Sequence, residues 1–282
     1  ETASKPLRDH LAAVGPDQCV GDPAAGWREA TFTASDLVVA DPTRLFGRLS
    51  RLLAGPGRDS WRERWLDADA AHADVLAESE GFCEGRLLAD VIDLAPDPST
   101  LFVSNSMPVR DLDRFGAPTT ASLTAFGNRG ASGIDGIVST ALGAGSATAD
   151  DLTLVTGDLA YYHDMNGLAA VERCGVDATI VLINNDGGGI FHILPIESYD
   201  PPFSSQFVTP HGLDFEPTGD LYDLSFARIP GGDRPAFREA YAEATASDGS
   251  HVIEVRTDAD ASHQVRDRLR ERAVDRVLDA TT

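Results

Sequence analysis

Two kinds of hydrophobic pattern divide the chain. From Glu84 onward, short unbroken apolar runs alternate with stretches of helical spacing. Thr100–Val103, Leu123–Phe126, Leu152–Val155, Thr179–Ile183 and His251–Arg256 read as strands. Runs such as Leu152-Thr-Leu-Val155 and Thr179-Ile-Val-Leu-Ile183 are what a strand buried on both faces requires. Helical spacing at Leu87–Leu94, Ile134–Ala144, Asp164–Cys174 and Pro235–Ala246 separates them. The alternation predicts an α/β domain, a parallel sheet flanked by helices on both faces. Residues 261–280 read as an Arg/Asp-rich closing helix with a solvated face, and the proline-rich stretch 195–220 as a loop long enough to cover a site.

Before Glu84 the pattern is sparser. It predicts a helix over Ser4–Val14 with Ser4 as N-cap and Pro6 in the first turn, a short strand at Leu37–Ala40, and a helix from Asp41-Pro42 to Leu53 closed by Gly55-Pro-Gly57. From Ser60 to Ser79 runs a charged helix carrying Trp61, Trp65, Ala68, His72, Val75 and Leu76 on one face, expected to pack on a neighbour. The expected organisation is the end of one α/β domain over 1–57, a linker helix over 58–83, and a second α/β domain over 84–282.

Composition narrows the function classes. The 282 residues are 42% apolar, enough for a core, and the net charge is −22. That charge excludes a basic nucleic-acid-binding surface. No run of about 18 apolar residues occurs, so no membrane insertion is expected. The chain begins at Glu1 without a leader pattern, which suggests a piece of a longer protein. Cys19, Cys83 and Cys174 are far apart and form no CxxC pair, so neither a disulfide framework nor a structural zinc site is expected, only small buried or half-buried residues in a reducing cytoplasm. Lys5 is the single lysine beside 22 arginines. This acidic, lysine-poor balance points to a salt-rich cytoplasm, where molar salt shortens the Debye length to about 3 Å. An acidic enzyme from a GC-rich genome is the alternative.

The candidate chemistry centres on Gly157-Asp158-Leu159 and Asn184-Asn185-Asp186-Gly187-Gly188-Gly189. Asp158 lies 27 residues before Asn185, close to the length of about 30 residues of one βαβ unit. Both should therefore stand at the carboxyl ends of parallel strands, where open α/β sheets bind ligands. A carboxylate, an amide oxygen and a following backbone carbonyl are hard donors that suit Mg²⁺ or Mn²⁺ held together with phosphates. Gly157 would let the backbone approach a diphosphate, and a helix starting near His163 or Asp164 would offer N–H groups to it. The plainer reading is a strand-end Asp and an Asn/Gly turn.

This spacing resembles the fingerprint of thiamine diphosphate enzymes, with Leu159 replacing the last glycine of the usual G-D-G. Three further runs, Ser104-Asn-Ser-Met-Pro-Val-Arg-Asp111, Asn128-Arg-Gly-Ala-Ser-Gly-Ile-Asp-Gly136 and Asn184–Pro195, resemble the 2-succinyl-5-enolpyruvyl-6-hydroxy-3-cyclohexene-1-carboxylate synthases of menaquinone biosynthesis. Thr209-Pro-His-Gly-Leu-Asp-Phe215 is also similar to that family. The resemblance extends over residues 1–280. It implies a thiamine-diphosphate-dependent transferase that decarboxylates 2-oxoglutarate and adds the succinyl carbanion equivalent to isochorismate. It also implies a homo-oligomer, a dimer or dimer of dimers. The family's pyrimidine-binding domain, with its glutamate, is absent from these residues. Half an active site, inactive alone, is therefore expected.

By the same resemblance Asp158, Asn185 and the Gly187 carbonyl hold the metal, and Ser132, Gly133, Ile134, Gly157 and Leu159 contact the cofactor. Lys5, Ser106, Arg110 and Arg129 hold dicarboxylate substrates, and Ile190, Phe191 and Leu194 form an apolar wall. Planar bidentate Arg is the expected holder of a dicarboxylate on a protein this acidic. His163 and His192 receive no acid–base role. Three rivals stand beside this reading. An acetolactate-synthase-like or pyruvate-decarboxylase-like enzyme would need fewer cations. A dinucleotide oxidoreductase is disfavoured because Gly130, Gly133 and Gly136 are spaced G-x-x-G-x-x-G. A non-catalytic half-enzyme would be expected to have lost its metal ligands.

Overall fold

The computed structural model describes residues 5–281 apart from 28, 30, 54, 56, 58, 79, 80 and 130, and omits the side chains of Lys5 and Thr281. The expected Ser4 cap therefore lies outside the described residues, as does Gly130. The chain forms two compact units, Glu1–Ala70 with Ala280–Thr282, and Ala71–Asp279.

The first unit contains α1 (Lys5–Val14), β1 (Cys19–Gly21), β2 (Asp36–Val38), α2 (Pro42–Leu52) and the start of α3 (Asp59–Glu78). β1 and β2 pair in parallel, Cys19 opposite Asp36. The strand ends two residues before the expected Ala40 because its register is set by β1. Asp41 caps α2 by accepting the Arg44 N–H at 2.9 Å, and Pro42 occupies a first-turn position where its missing donor costs nothing. The Trp61 and Trp65 rings lie 5.9 Å apart, tilted by 60°. Both are exposed, which corrects the expectation that they form the packed face. The buried positions of α3 are Ala71 and Val75, where Val75 and Leu76 meet Cys83, Phe115, Val265 and Leu269 within the second unit.

The second unit runs α4 (Glu84–Leu94), β3 (Ser99–Val103), α5 (Met107–Phe115), β4 (Leu123–Phe126), α6 (Ile137–Gly145), β5 (Asp151–Gly157), α7 (Asp158–Asp164), α8 (Ala169–Cys174), β6 (Ala178–Asn184), α9 (Pro217–Tyr222), β7 (Ser225–Pro230), α10 (Arg234–Thr245), β8 (His251–Arg256) and α11 (Ala259–Thr281). Its six strands are all parallel, in the order β4-β3-β5-β6-β8-β7. Alternate residues serve opposite faces, as the strand period of two demands. Leu152, Leu154, Ile180 and Leu182 pack with Ile137, Val138, Tyr161 and Leu168 on one side. Val155, Val181, Ile183 and Val255 pack with Leu87, Leu88, Phe237 and Tyr241 on the other. Every residue of β3 and β6 is buried.

The order also fixes a crevice. From β3 the chain crosses through α5 to β4 on one side, and from β5 through α7 and α8 to β6 on the other. α5 sends Val109 and Leu112 to one core and α7 sends Tyr161 to the opposite one. The carboxyl ends of β3 and β5 are therefore left open between diverging connections, the switch point of an open α/β sheet.

Several local readings are corrected. The helix after Gly157 begins at Asp158 itself, not near His163, since a carboxylate in the first turn complements the helix N-terminus. α6 starts at Ile137, after a left-handed Gly136. β7 contains Arg228 and ends in Pro230; both are tolerable because it is an edge strand. Within 195–220 lie short turns at Pro195–Ser198 and Phe203–Val208 before α9. Among the cysteines Cys83 is buried, whereas Cys19 and Cys174 are exposed.

Candidate functional site

A cavity of about 290 Å³ opens at the switch point, near the lower end for small-molecule sites. Its walls come from Ser104–Pro108 after β3, Ser132–Ile134 before α6, Gly157–Ala160 after β5, and Asn185 with Gly187–Phe191 after β6. Asn105 ties two of these walls, its Nδ2 donating to the Gly133 carbonyl at 2.8 Å. Ser106 sits at φ 70°, ψ −132°, a costly conformation for a non-glycine residue. A Cβ on Gly157 would meet nothing within 4 Å among the described residues, so the space beside this backbone is open to a ligand.

Asp158 is 2% exposed. Its carboxylate accepts the N–H groups of Leu159 at 2.6 Å, Asn185 at 3.1 Å and Gly187 at 3.0 Å. Burial pushes its pKa up, while the Gly187 and Leu159 N–H groups and His211 pull it back. Gly187 has φ 148°, and a Cβ there would come within 2.2 Å of the Val208 carbonyl oxygen, so only glycine fits this turn.

Asn185 is oriented from behind. Its Nδ2 donates to Glu84 Oε1 at 2.8 Å, and the residue lines the cavity. Its Oδ1 is buried with no hydrogen-bond partner among the described residues. An acceptor orphaned in this way is costly unless a ligand completes it. Glu84 also accepts from Thr257 Oγ1 at 2.9 Å and Arg266 Nη2 at 2.7 Å. Arg266 in turn forks onto Asp111, at 2.9 Å through Nε and 2.5 Å through Nη2. Glu84, Asp111 and Arg266 are all at most 4% exposed. Burial opposes the Arg266 charge, but Asp111 and Glu84 outweigh it and raise its pKa.

Residues 114–255 match the family model described as "Thiamine pyrophosphate enzyme, C-terminal TPP binding domain". The chain belongs to this family. Among relatives of this thiamine pyrophosphate chain, the 2-succinyl-5-enolpyruvyl-6-hydroxy-3-cyclohexene-1-carboxylate synthase of Haloquadratum walsbyi is 61% identical over 98% of the chain and 50% of its own length. The synthase of Haloarcula marismortui is 60% identical over 96% and 46%, and that of Roseiflexus castenholzii 45% over 92% and 43%. The chain spans about half the length of these relatives. The several high-identity relatives from halophilic archaea support such an origin. Among solved structures, a thiamine diphosphate-dependent 4-hydroxybenzoylformate decarboxylase of Rhodococcus jostii superposes with a TM-score of 0.52 at 22% identity, over 64% of this chain and 34% of that one. That likeness concerns the fold.

The cavity fits the family's cofactor, thiamine diphosphate with a divalent cation. An orphaned amide oxygen, an adjacent buried carboxylate and the open space at Gly157 are what a hard cation bridging to phosphates needs.

Other expected site residues of this thiamine pyrophosphate domain fall in several places. Ser106, Ser132, Gly133, Ile134, Leu159, Ile190 and Phe191 line the cavity. Arg110 on α5 and Arg129 after β4 both donate to the loop after β3: Arg110 Nη1 to the Ser106 carbonyl at 2.6 Å and Arg129 Nη1 to Asn105 Oδ1 at 3.5 Å. Leu194 is 42% exposed and is not on the cavity wall. Lys5 opens α1, and its side chain lies outside the described residues. His163 pairs with Asp135 at 3.3 Å, and His192 with Glu197 at 3.3 Å.

Sequence reasoning missed Glu84, Asp111, Arg266 and His211 as parts of this site. The last helix was expected to be solvated, yet Arg266 on α11 is buried at the centre of the support beneath Asn185. His211 places Nε2 3.3 Å from Asp158 Oδ2. Its Nδ1 accepts the Leu213 N–H at 3.0 Å, which assigns the ring proton to Nε2. The Thr209–Phe215 run was the only signal for it.

Proposed function

We propose that this chain forms the diphosphate- and metal-binding half of the active site of a thiamine-diphosphate-dependent 2-succinyl-5-enolpyruvyl-6-hydroxy-3-cyclohexene-1-carboxylate synthase. The observation that carries the reading is the Asp158–Asn185 pair, which lines a cavity at the switch point and includes a buried amide oxygen without a partner among the described residues, in a chain 58–61% identical to synthases of that name. In this reading Asp158, Asn185 Oδ1 and the Gly187 carbonyl hold Mg²⁺, or Mn²⁺ in its place. Gly157 and Leu159 border the diphosphate, Ser132 and Gly133 flank the cofactor, and Ile134 props it.

When bound, thiamine diphosphate supplies the carbanion chemistry that neither side chains nor metal provide. The protein's own residues bind, orient and exclude water. Ile190 and Phe191 make the dry wall over the reacting carbons, with Phe191 held edge-on against Phe207 at 5.3 Å. Ser106, Arg110 and Arg129 receive the carboxylates of 2-oxoglutarate and isochorismate, with Lys5 completing the substrate set; Leu194, off the cavity wall, is left out of it. Both arginines follow strand ends of neighbouring strands, β3 and β4, and each donates to the cavity-lining loop at Asn105–Ser106. The metal anchors the diphosphate and is not the Lewis acid for the substrate carbonyl.

The same reading assigns 84–282 to the diphosphate-binding domain, 1–57 to the end of a middle domain and 58–83 to the helix between them. It also assigns a homo-oligomer in the cytoplasm. The described residues contain no helix long and apolar enough to cross a membrane. The test is turnover by the protein extended to the length of its relatives, with 2-oxoglutarate, isochorismate, thiamine diphosphate and Mg²⁺ in molar KCl. Consumption of both substrates is expected, and Arg110→Ala should raise KM without weakening cofactor binding. Consumption of pyruvate in place of 2-oxoglutarate would move the chain to the acetolactate-type reading, and equal loss of cofactor affinity in Arg110→Ala would remove Arg110 from the substrate site.

A further inference from the structure

Away from the Asp158–Asn185 pair, the second unit gathers a different set of ligands. His192 lies in a short turn, Gly189–Ile193, and Glu197 in the next, Pro195–Ser198. Asp260 and His263 lie near the start of α11. Their i, i+3 spacing puts both on one face of that helix. One ligand atom from each of His192, Glu197 and Asp260 lies within 4.8 Å of the others. His192 Nδ1 is 3.3 Å from Glu197 Oε1, and His263 Nε2 is 3.9 Å from Glu197 Oε2. The two imidazole rings are 6.1 Å apart, tilted by 35°.

These distances have a chemical meaning. Four ligands at zinc–nitrogen and zinc–oxygen bond lengths of about 2.0–2.2 Å stand about 3.3–3.5 Å from one another in a tetrahedron. The His192–Glu197 pair already has that separation; Asp260, within 4.8 Å of both, and His263, 3.9 Å from Glu197, must close in on the ion. The set is also held from outside. His192 is 9% exposed and packs edge-on to Phe203 at 5.0 Å. Asp260 Oδ2 accepts from Gln264 Nε2 at 2.9 Å, and Asp267 flanks His263 Nε2 at 3.3 Å. His263 Nε2, the ring atom nearest the set, lies between Glu197 and Asp267, so it would exchange Asp267 for the ion.

We propose that His192, Glu197, Asp260 and His263 form a site for a zinc-class divalent cation that staples the 189–198 segment to the start of α11. Two imidazoles select Zn²⁺, Co²⁺ or Ni²⁺ over Mg²⁺, which prefers oxygen alone. Two carboxylates neutralise the charge of the ion. Ile190 and Phe191 lie within the stapled segment, so the ion holds part of the cavity wall in place. The site is independent of what the cavity binds.

The experiment uses untagged protein, stripped with a chelator and titrated with Zn²⁺ and then Co²⁺ in molar KCl and excess Mg²⁺. Uptake of one equivalent of zinc is expected, with visible d–d bands of four-coordinate cobalt and slower amide exchange over 189–198 in the metal-loaded protein. His192→Ala and His263→Ala should each weaken uptake at least tenfold, whereas Asp158→Ala, which removes the carboxylate facing His211, should retain it. Absence of the equivalent, zinc binding unchanged in the His192→Ala/His263→Ala double variant, or binding lost only in Asp158→Ala would each overturn the proposal. Should the histidine variants not fold, the cobalt spectrum of the unmodified protein decides: no four-coordinate bands, no site.

Discussion

Glu84→Gln turns the support beneath Asn185 into a switch. Glu84 accepts three donors, Asn185 Nδ2 at 2.8 Å, Thr257 Oγ1 at 2.9 Å and Arg266 Nη2 at 2.7 Å. Glutamine has the same shape but only one acceptor oxygen. With that oxygen toward Asn185, its NH₂ would face the Arg266 donor. With the oxygen toward Arg266, the NH₂ faces Asn185 and Thr257, and both can adapt. The Thr257 hydroxyl rotates to accept, and the Asn185 amide turns over to accept through Oδ1. Every local hydrogen bond is then satisfied, and Asp111 still pairs with Arg266. The fold should lose only about 1–2 kcal/mol, the difference between charge-assisted and neutral bonds. The cavity, however, now meets the Asn185 NH₂ in place of its oxygen, and an N–H group repels a cation. Loss of such an orienting partner typically costs about 10–100-fold in metal affinity, or about 1.4–2.8 kcal/mol. The assay is Mg²⁺-dependent binding of thiamine diphosphate by calorimetry in molar KCl, with thermal unfolding in parallel. Adding Asn185→Asp should restore binding, because a carboxylate accepts from the introduced glutamine amide and still turns an oxygen to the metal. Unchanged affinity in Glu84→Gln, or no recovery in the double variant, would refute the reasoning.

Three further outcomes are expected. Arg266→Met leaves Asp111 and Glu84 buried without a counter-charge, and should cost about 3–5 kcal/mol of stability, read as a lowered thermal midpoint at fixed KCl. Tyr161 and Tyr241 have pKa values pushed up to about 12 by burial, against the ordinary 10. A pKa raised by folding means that the protonated form is favoured in the native state. Their contribution is therefore complete below about pH 10 and lost as pH rises toward about 12. Phenolate absorbance should show these two titrating late and together with loss of circular dichroism, whereas ionisation near 10 with the fold intact would contradict their burial. Finally, with a net charge of −22, stability should rise steeply between about 0.1 M and 1 M KCl as the screening length falls from about 10 Å to about 3 Å, and a flat midpoint over that range would count against self-repulsion.

The sequence by itself determined five of the six strands of the sheet. A strand covered on both faces must be apolar throughout, so β5 and β6 stand out in the chain without knowledge of their neighbours. The 27-residue step from Asp158 to Asn185 is set by one crossover, which places both at the same sheet edge wherever the rest of the chain goes. β7 escaped because Arg228 and Pro230 break the apolar pattern, and only its place at the sheet edge makes them acceptable. What tertiary structure decided is which charged residues face inward. Arg266 sits among other arginines of α11, and nothing local distinguishes it. Its role comes from Asp111, 155 residues away, and Glu84, 182 residues away. The orientation of Asn185 depends likewise on Glu84, 101 residues distant. Local pattern records how much of each segment is shielded from water. The pairing of buried charges depends on which helix faces the packing brings together, and that is settled only when the core closes.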